Sequence, residues 1–116
     1  LFPYTTLFRS PKSDAIEASI EYIGKNLSLN MSISEIAQSA YLNPQYFMRL
    51  FKKEMGKSVL EYITWCRLDR AKQLLTGSSL PITEVALEAG YDNFSYFSKL
   101  FKRNIGMTPS EYRKQH

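Results

Sequence analysis

The sequence contains little of what most catalytic or metal sites need. It has one cysteine, Cys66, and one histidine, His116, which is the last residue. A single thiol excludes an internal disulfide and argues against a cysteine-built zinc site. The five glycines are isolated and form no phosphate-binding loop, and no apolar run approaches the roughly 18 residues of a membrane span. The sequence therefore predicts a protein that is not an enzyme, needs no cofactor or metal and does not cross a membrane.

The chain is mildly basic, and its positive charge is unevenly distributed. Its 116 residues carry a net charge of +4, and 44% of them are apolar, enough to bury a core. Residues 44–57 sum to +3 and residues 93–106 also sum to +3, whereas the rest of the chain sums to −2. A single basic run is usually only a solvated face. Two matched runs indicate a polyanionic partner.

The first ten residues, LFPYTTLFRS, are interpreted as an artefact rather than native protein. Ten codons of a common short-read sequencing adapter translate to this segment, so residues 1–10 are set aside from fold reasoning. The alternative is a native N-terminal arm. We expect a poorly ordered tail here, a native sequence that begins near Pro11, and an upstream domain that is missing from this chain.

The remaining sequence contains an internal repeat. ISEIAQSAYL, residues 33–42, matches ITEVALEAGY, residues 82–91, at an offset of 49. YFMRLFKKEMG, residues 46–56, matches YFSKLFKRNIG, residues 96–106, at an offset of 50. The added residue falls between the matched segments, where a turn can absorb an insertion. The repeat therefore indicates one structural unit that occurs twice.

The apolar spacing is helical throughout, and no segment alternates for long enough to form a strand. Capping boxes at Ser32, Ser58 and Thr108 predict three helix starts, and Gly77 is expected to end the longest helix. The predicted helices span residues 14–26, 33–40, 44–55, 58–76, 82–89, 93–104 and 109–114. The predicted fold is all-α, with two helix-turn-helix units and a linker helix, at residues 11–57, 77–116 and 58–76 respectively.

The second helix of each repeat has an apolar face and a polar, basic face. The apolar residues follow the spacing of a core face and are expected to anchor the helix. In the first copy they are Phe47, Leu50, Phe51 and Met55, and in the second Phe97, Leu100, Phe101 and Ile105. The opposite faces carry Gln45, Met48, Arg49, Lys52 and Lys53 in the first copy, and Ser95, Ser98, Lys99, Lys102 and Arg103 in the second.

A helix that is anchored on one side and basic on the other suits the major groove of DNA. A short helix packed across it gives a helix-turn-helix arrangement. The predicted linker of 19 residues is about 28 Å long, and successive major grooves on one face of DNA are about 34 Å apart. We therefore expect both helices to enter adjacent major grooves.

The sequence resembles the DNA-binding domain of AraC/XylS-type bacterial transcription regulators over residues 14–114. The most specific segments are ITEVALEAGYDNFSYFSKLFKRNIGMTPSEYR, which follows the family signature, and RLDRAKQLL, which is similar to its linker helix. The resemblance implies two homeodomain-like units on about 20 bp of double-stranded DNA. It also implies activation through RNA polymerase, an upstream sensor or receiver domain, and a cytoplasmic, nucleoid-associated location.

The resemblance assigns the reading helices to residues 44–54 and 94–104. The base-reading positions that it implies are Asn43, Gln45, Met48 and Arg49 in the first unit, and Asn93, Phe94, Ser95, Ser98 and Lys99 in the second. The phosphate-contacting candidates are Lys52, Lys53, Lys102 and Arg103. Arg49 is the leading candidate because a bidentate arginine–guanine pair is the commonest specific contact. Met48 either contacts a thymine methyl group or makes no base contact. Phe94 either contacts a thymine or only packs against the rest of the protein.

An alternative interpretation is a protein-interaction module that docks on RNA polymerase or another regulator with only minor DNA contact. A protein-docking face would be more apolar and less uniformly charged than these two faces. The matched basic faces therefore favour DNA. Salt dependence distinguishes the two interpretations, because counterion release makes DNA binding fall steeply with salt.

Overall fold

The structure is a computed structural model that describes residues 11–116, so the segment interpreted as translated adapter lies outside the described residues. Residues 11–116 form seven helices and no strand, which confirms the all-α prediction. The helices are α1 (Pro11–Lys25), α2 (Ile33–Ser39), α3 (Pro44–Met55), α4 (Val59–Gly77), α5 (Ile82–Glu88), α6 (Phe94–Ile105) and α7 (Pro109–Gln115). In this part of the chain no helix is both long and apolar enough to cross a membrane.

Reciprocal side-chain caps determine where three of these helices begin. The main-chain N–H of Glu35 donates to Ser32 Oγ at 3.0 Å, and the N–H of Ser32 donates to Glu35 Oε1 at 2.9 Å. The same capping box opens α4 at Ser58 and α7 at Thr108. Each box satisfies two main-chain donors that would otherwise lack a partner. The three predicted capping boxes are therefore confirmed, whereas Gly77 is the last residue of α4 rather than the first residue after it.

The described chain divides into two compact units. The first contains residues 11–26 and 30–63, and the second contains residues 27–29 and 64–116. The first unit therefore holds α1, α2, α3 and the start of α4. The second holds the rest of α4 together with α5, α6 and α7. Each unit has one short helix followed by one longer helix after a tight turn, α2–α3 in the first and α5–α6 in the second.

The core of the first unit forms between α1, α2, α3 and the start of α4. Phe51 is fully buried, and its ring centroid lies 5.7 Å from that of Phe47 and 5.4 Å from that of Tyr62. Both contacts are edge-on, a favourable geometry for aromatic pairs. The other most deeply buried apolar side chains of this unit are Ile16, Ile23, Ile36 and Ala37. The core therefore anchors α3 along its apolar face.

The second unit repeats this arrangement around Phe101. Its ring centroid lies 5.8 Å from that of Phe97 and 5.7 Å from that of Tyr112. The surrounding cluster includes Leu68, Ala71, Leu75, Val85, Ala86, Ala89, Tyr91 and Leu100. The core faces predicted for the two long helices are thus confirmed, with Met55 and Ile105 half-buried at their ends.

Leu60 lies on the surface, although helical spacing predicts it to point inward. Its side chain is 65% exposed, whereas the preceding residue, Val59, is 2% exposed. The buried stripe of α4 starts at Val59 and continues through Ile63, one helical turn later. Leu60 satisfies the i, i+3 spacing with Ile63 but is rotated away from that stripe, so helical spacing alone would misplace it.

The turn between α2 and α3 holds a tyrosine in a left-handed conformation. Tyr41 has φ 58° and is 95% exposed. Gly90 occupies the equivalent position in the second repeat, with φ 104°. A Cβ at Gly90 would collide with the carbonyl oxygen of Leu27 and the side chain of Arg67. The second turn therefore requires glycine, whereas the first accepts a side chain at the expense of backbone strain.

Replacement of Tyr41 by glycine should raise the free energy of unfolding by up to about 1 kcal/mol. Glycine adopts a positive φ without steric cost, which outweighs the entropy that it adds to the unfolded chain. Urea denaturation measures the change. Tyr41→Ala is the control because alanine removes the exposed ring but keeps the strain. An equal rise in the free energy of unfolding of the two variants would show that loss of the tyrosine side chain, and not relief of backbone strain, causes the stabilisation.

Candidate nucleic-acid interface

The first-unit candidates share the exposed face of α3. Asn43 caps the helix, and Pro44 occupies its first turn, where no main-chain N–H is needed. From this start, the burial of Phe47, Leu50 and Phe51 fixes the rotation of α3 and turns the opposite face to solvent. The exposed candidates on that face are Gln45, Met48, Arg49, Lys52 and Lys53. The structure therefore brings these side chains together on a single helix.

The two candidate asparagines also cap their helices. The side-chain oxygen of Asn43 accepts a hydrogen bond from the N–H of Tyr46 at 3.0 Å, and that of Asn93 accepts one from the N–H of Tyr96 at 2.9 Å. Each carboxamide keeps its NH2 group for a further acceptor. Both residues are exposed at the N-terminal end of the candidate reading helix. Capping thus fixes the direction in which each NH2 group can donate.

The second-unit candidates occupy the corresponding face of α6, with two differences. Ser98 is half-buried, whereas the other candidates on this helix are exposed: Phe94, Ser95, Lys99, Lys102 and Arg103. Phe94 is 41% exposed, and its ring centroid lies 6.4 Å from that of the fully buried Phe97. Phe94 therefore packs against the core and still presents part of its ring to solvent.

The basic side chains of the two faces differ in their surroundings. Lys52 Nζ lies 3.9 Å from Glu61 Oε1, with both side chains more than half exposed. Among the described side chains, no carboxylate forms an ion pair with Arg49, Lys53, Lys99 or Arg103. These four cations are thus available to an external anion without first leaving an acidic partner.

Two carboxylates at the edges of these faces were not identified from the sequence as part of the site. The hydrogen bond from the main-chain N–H of Ser58 lowers the pKa of Glu61, and Lys52 lowers it further. The pKa of Glu111 is lowered in the same way by the N–H of Thr108, with a smaller contribution from Lys102. Both carboxylates are therefore ionised at neutral pH. The capping boxes were visible in the sequence, but the closeness of Glu61 to Lys52 depends on how the helices pack.

Two tyrosines also border the candidate faces. Tyr46 is 37% exposed and Tyr96 is 54% exposed, each three residues before a basic candidate, Arg49 or Lys99. Neither ring is among the site residues predicted from the sequence. The repeat itself could have pointed to them, because a tyrosine begins the repeated segment in both copies. Helical spacing alone did not reveal that these rings remain partly outside the core.

A family model described as a helix-turn-helix domain matches residues 27–115. A solved transcriptional regulator from Chromobacterium violaceum, of the AraC-type DNA-binding domain proteins, is 26% identical with a TM-score of 0.83. The superposition covers 92% of this chain and 96% of that one. The chain belongs to the AraC-type helix-turn-helix family. The resemblance seen in the sequence is thereby confirmed.

Other relatives agree with this membership of the AraC-type family. The C-terminal domain of AraT, a response regulator from Geobacillus stearothermophilus, is 33% identical with a TM-score of 0.86, covering 92% of this chain and 89% of that one. The lactose operon transcription activator of Staphylococcus xylosus is 31% identical over 87% of this chain and 36% of that protein. The chain spans about a third of the length of the curated relatives it matches. AraC-type domains are DNA-binding domains of bacterial transcription regulators and do not form an enzyme class.

Proposed function

We propose that this AraC-type domain binds double-stranded DNA sequence-specifically through α3 and α6, in adjacent major grooves, and activates transcription. The observation that carries the proposal is the repetition of one arrangement in two separately packed units. In each unit a Phe-Leu-Phe stripe is buried, and the opposite side of the same helix presents exposed polar and basic side chains. A rigidly anchored helix of this kind suits the major groove.

The proposed contacts fall into two classes. Base edges are read from Asn43, Gln45, Met48 and Arg49 in the first unit, and from Asn93, Phe94, Ser95, Ser98 and Lys99 in the second. Phosphates are bound by Lys52, Lys53, Lys102 and Arg103, in the last turns of α3 and α6. The first class provides sequence discrimination, and the second provides affinity that depends on salt.

The proposal extends to partners of the whole protein. The activating sense is supported by a relative that is itself named a transcription activator. Contact with RNA polymerase, an upstream sensor or receiver domain, and action on cytoplasmic DNA follow from the same family resemblance. We assign no reaction to this domain.

Selection of duplexes from a random pool at about 150 mM salt, followed by sequencing, tests the proposal. Two short conserved blocks separated by about 10–11 bp are expected, because that distance is one turn of DNA. A single block would mean that only one unit reads bases. No enrichment, with binding that hardly changes with salt, would contradict the proposal and favour the protein-docking alternative.

A further inference from the structure

The capping box at the start of α4 also reaches α3, the first proposed reading helix. Glu61 Oε1 accepts a hydrogen bond from the N–H of Ser58 at 2.8 Å, and the N–H of Glu61 donates to Ser58 Oγ at 3.1 Å. The same Oε1 lies 3.9 Å from Nζ of Lys52. The main chain therefore fixes the position of this carboxylate, whereas the lysine beside it is flexible.

The second unit repeats the capping box. Glu111 Oε1 accepts a hydrogen bond from the N–H of Thr108 at 2.8 Å, and the N–H of Glu111 donates to Thr108 Oγ1 at 3.1 Å. Lys102 occupies the position equivalent to Lys52, but among the described side chains it forms no ion pair with Glu111. Of the two capping-box carboxylates, Glu61 is therefore the one that is paired with a lysine in the last turn of a proposed reading helix.

We propose that Glu61 is a positioning residue that limits the affinity of Lys52 for DNA phosphate. A phosphate that binds Lys52 must either draw the lysine away from Glu61 or approach the fixed carboxylate itself. Both processes oppose binding, since the first breaks an ion pair and the second brings like charges together. The inference rests on the proposed function, because it requires this lysine to face DNA.

The effect should be modest and independent of DNA sequence. The side chains of Lys52 and Glu61 are 60% and 64% exposed, and exposed pairs of this kind change an equilibrium by about two- to five-fold. Phosphate contacts carry no base information, so specific and non-specific duplexes should be affected by the same factor. Glu61 therefore restrains general attachment to DNA without altering which sequence is preferred.

Glu61→Gln in the full chain tests the proposal. Glutamine can retain the capping box, so the variant removes the charge without removing the start of α4. Fluorescence anisotropy at about 50 mM salt should show binding tightened about two- to five-fold, for the selected duplex and for an unrelated one alike. The gain should shrink as salt rises, because the interaction is exposed and screened. Unchanged or weakened binding would overturn the proposal.

Glu35→Gln is the matched control. Glu35 closes the equivalent capping box of α2 at 2.9 Å in the same unit, and among the described side chains no lysine or arginine forms an ion pair with it. This variant removes the same charge and should leave the affinity nearly unchanged. Equal tightening in Glu35→Gln would attribute the effect to net charge and would overturn the role of the lysine.

A double-mutant cycle separates this inference from the proposed function. Lys52→Gln alone should weaken binding, and Glu61→Gln should then produce no further gain in the Lys52→Gln background. If Lys52→Gln leaves binding unchanged, the proposed phosphate contact itself fails. If Lys52→Gln weakens binding but Glu61→Gln does not tighten it, only the present inference fails. Thermal unfolding checks that each variant is folded.

Discussion

Replacement of Phe101 by alanine should lower the free energy of unfolding of the second unit by about 3–5 kcal/mol. The Phe101 side chain is fully buried, with ring centroids 5.8 Å from Phe97 and 5.7 Å from Tyr112. Alanine removes these contacts and leaves a cavity that helices on three sides cannot fill without moving. The free energy of unfolding of a unit this small is only a little larger than this loss. In a large fraction of the variant molecules the second unit should therefore be unfolded at 25 °C.

Amide hydrogen exchange followed by NMR measures this change residue by residue. Loss of protection should appear in α5, α6, α7 and the part of α4 from residue 64 onwards, because these segments share the core around Phe101. Phe101→Leu retains most of the volume and should cost much less. Phe51→Ala is the matched variant in the first unit and should lower protection in α2 and α3 instead. Unchanged protection in α6 of Phe101→Ala would mean that this ring does not anchor the helix.

The parts of the fold that could be predicted from sequence are those specified by residues close together in the chain. A capping box needs two side chains three positions apart, and both Ser32 and Thr108 carry that signature. The buried side of α3 follows from the spacing of Phe47 and Phe51 in the same way. Each of these signals lies within two helical turns. That is why six of the seven helices were predicted to within about a residue at each end, together with the two exposed faces, whereas α1 begins three residues before its predicted start.

The parts that could not be predicted depend on contacts between distant segments. Arg67 donates to the carbonyl oxygens of Leu27 and Leu29 at 3.0 and 2.9 Å, and these partners lie about forty residues earlier. The spacing of apolar residues along a helix carries no information about such a contact. The contact also contributes to the crowding around Gly90 that makes glycine necessary there. Glu61 and Lys52 are only nine residues apart, but their closeness also depends on packing, because they lie on different helices, α4 and α3. The candidate faces were therefore predictable, and the groups that modify them were not.

Replacement of Arg49 by alanine should weaken binding to the selected DNA by about 1–3 kcal/mol, or roughly 5- to 150-fold, while changing binding to unrelated DNA much less. The guanidinium is exposed and has no acidic partner among the described side chains, so it is available to a base. Its paired donors match the two acceptors of guanine. In a repeated selection, the block read by the first unit should lose preference at one position. Arg49→Lys should not restore this preference, because an ammonium group lacks the two parallel N–H donors of a guanidinium.

Lys53→Ala is the control on the same helix. It also removes one positive charge from the exposed face of α3, but from a proposed phosphate contact rather than a base contact. It should weaken binding to all duplexes by a similar factor and reduce the slope of log affinity against log salt by about one. If Arg49→Ala behaves like Lys53→Ala in both respects, Arg49 binds the DNA backbone. Base discrimination by the first unit would then depend on its neighbours Gln45 and Met48, both exposed on the same helix.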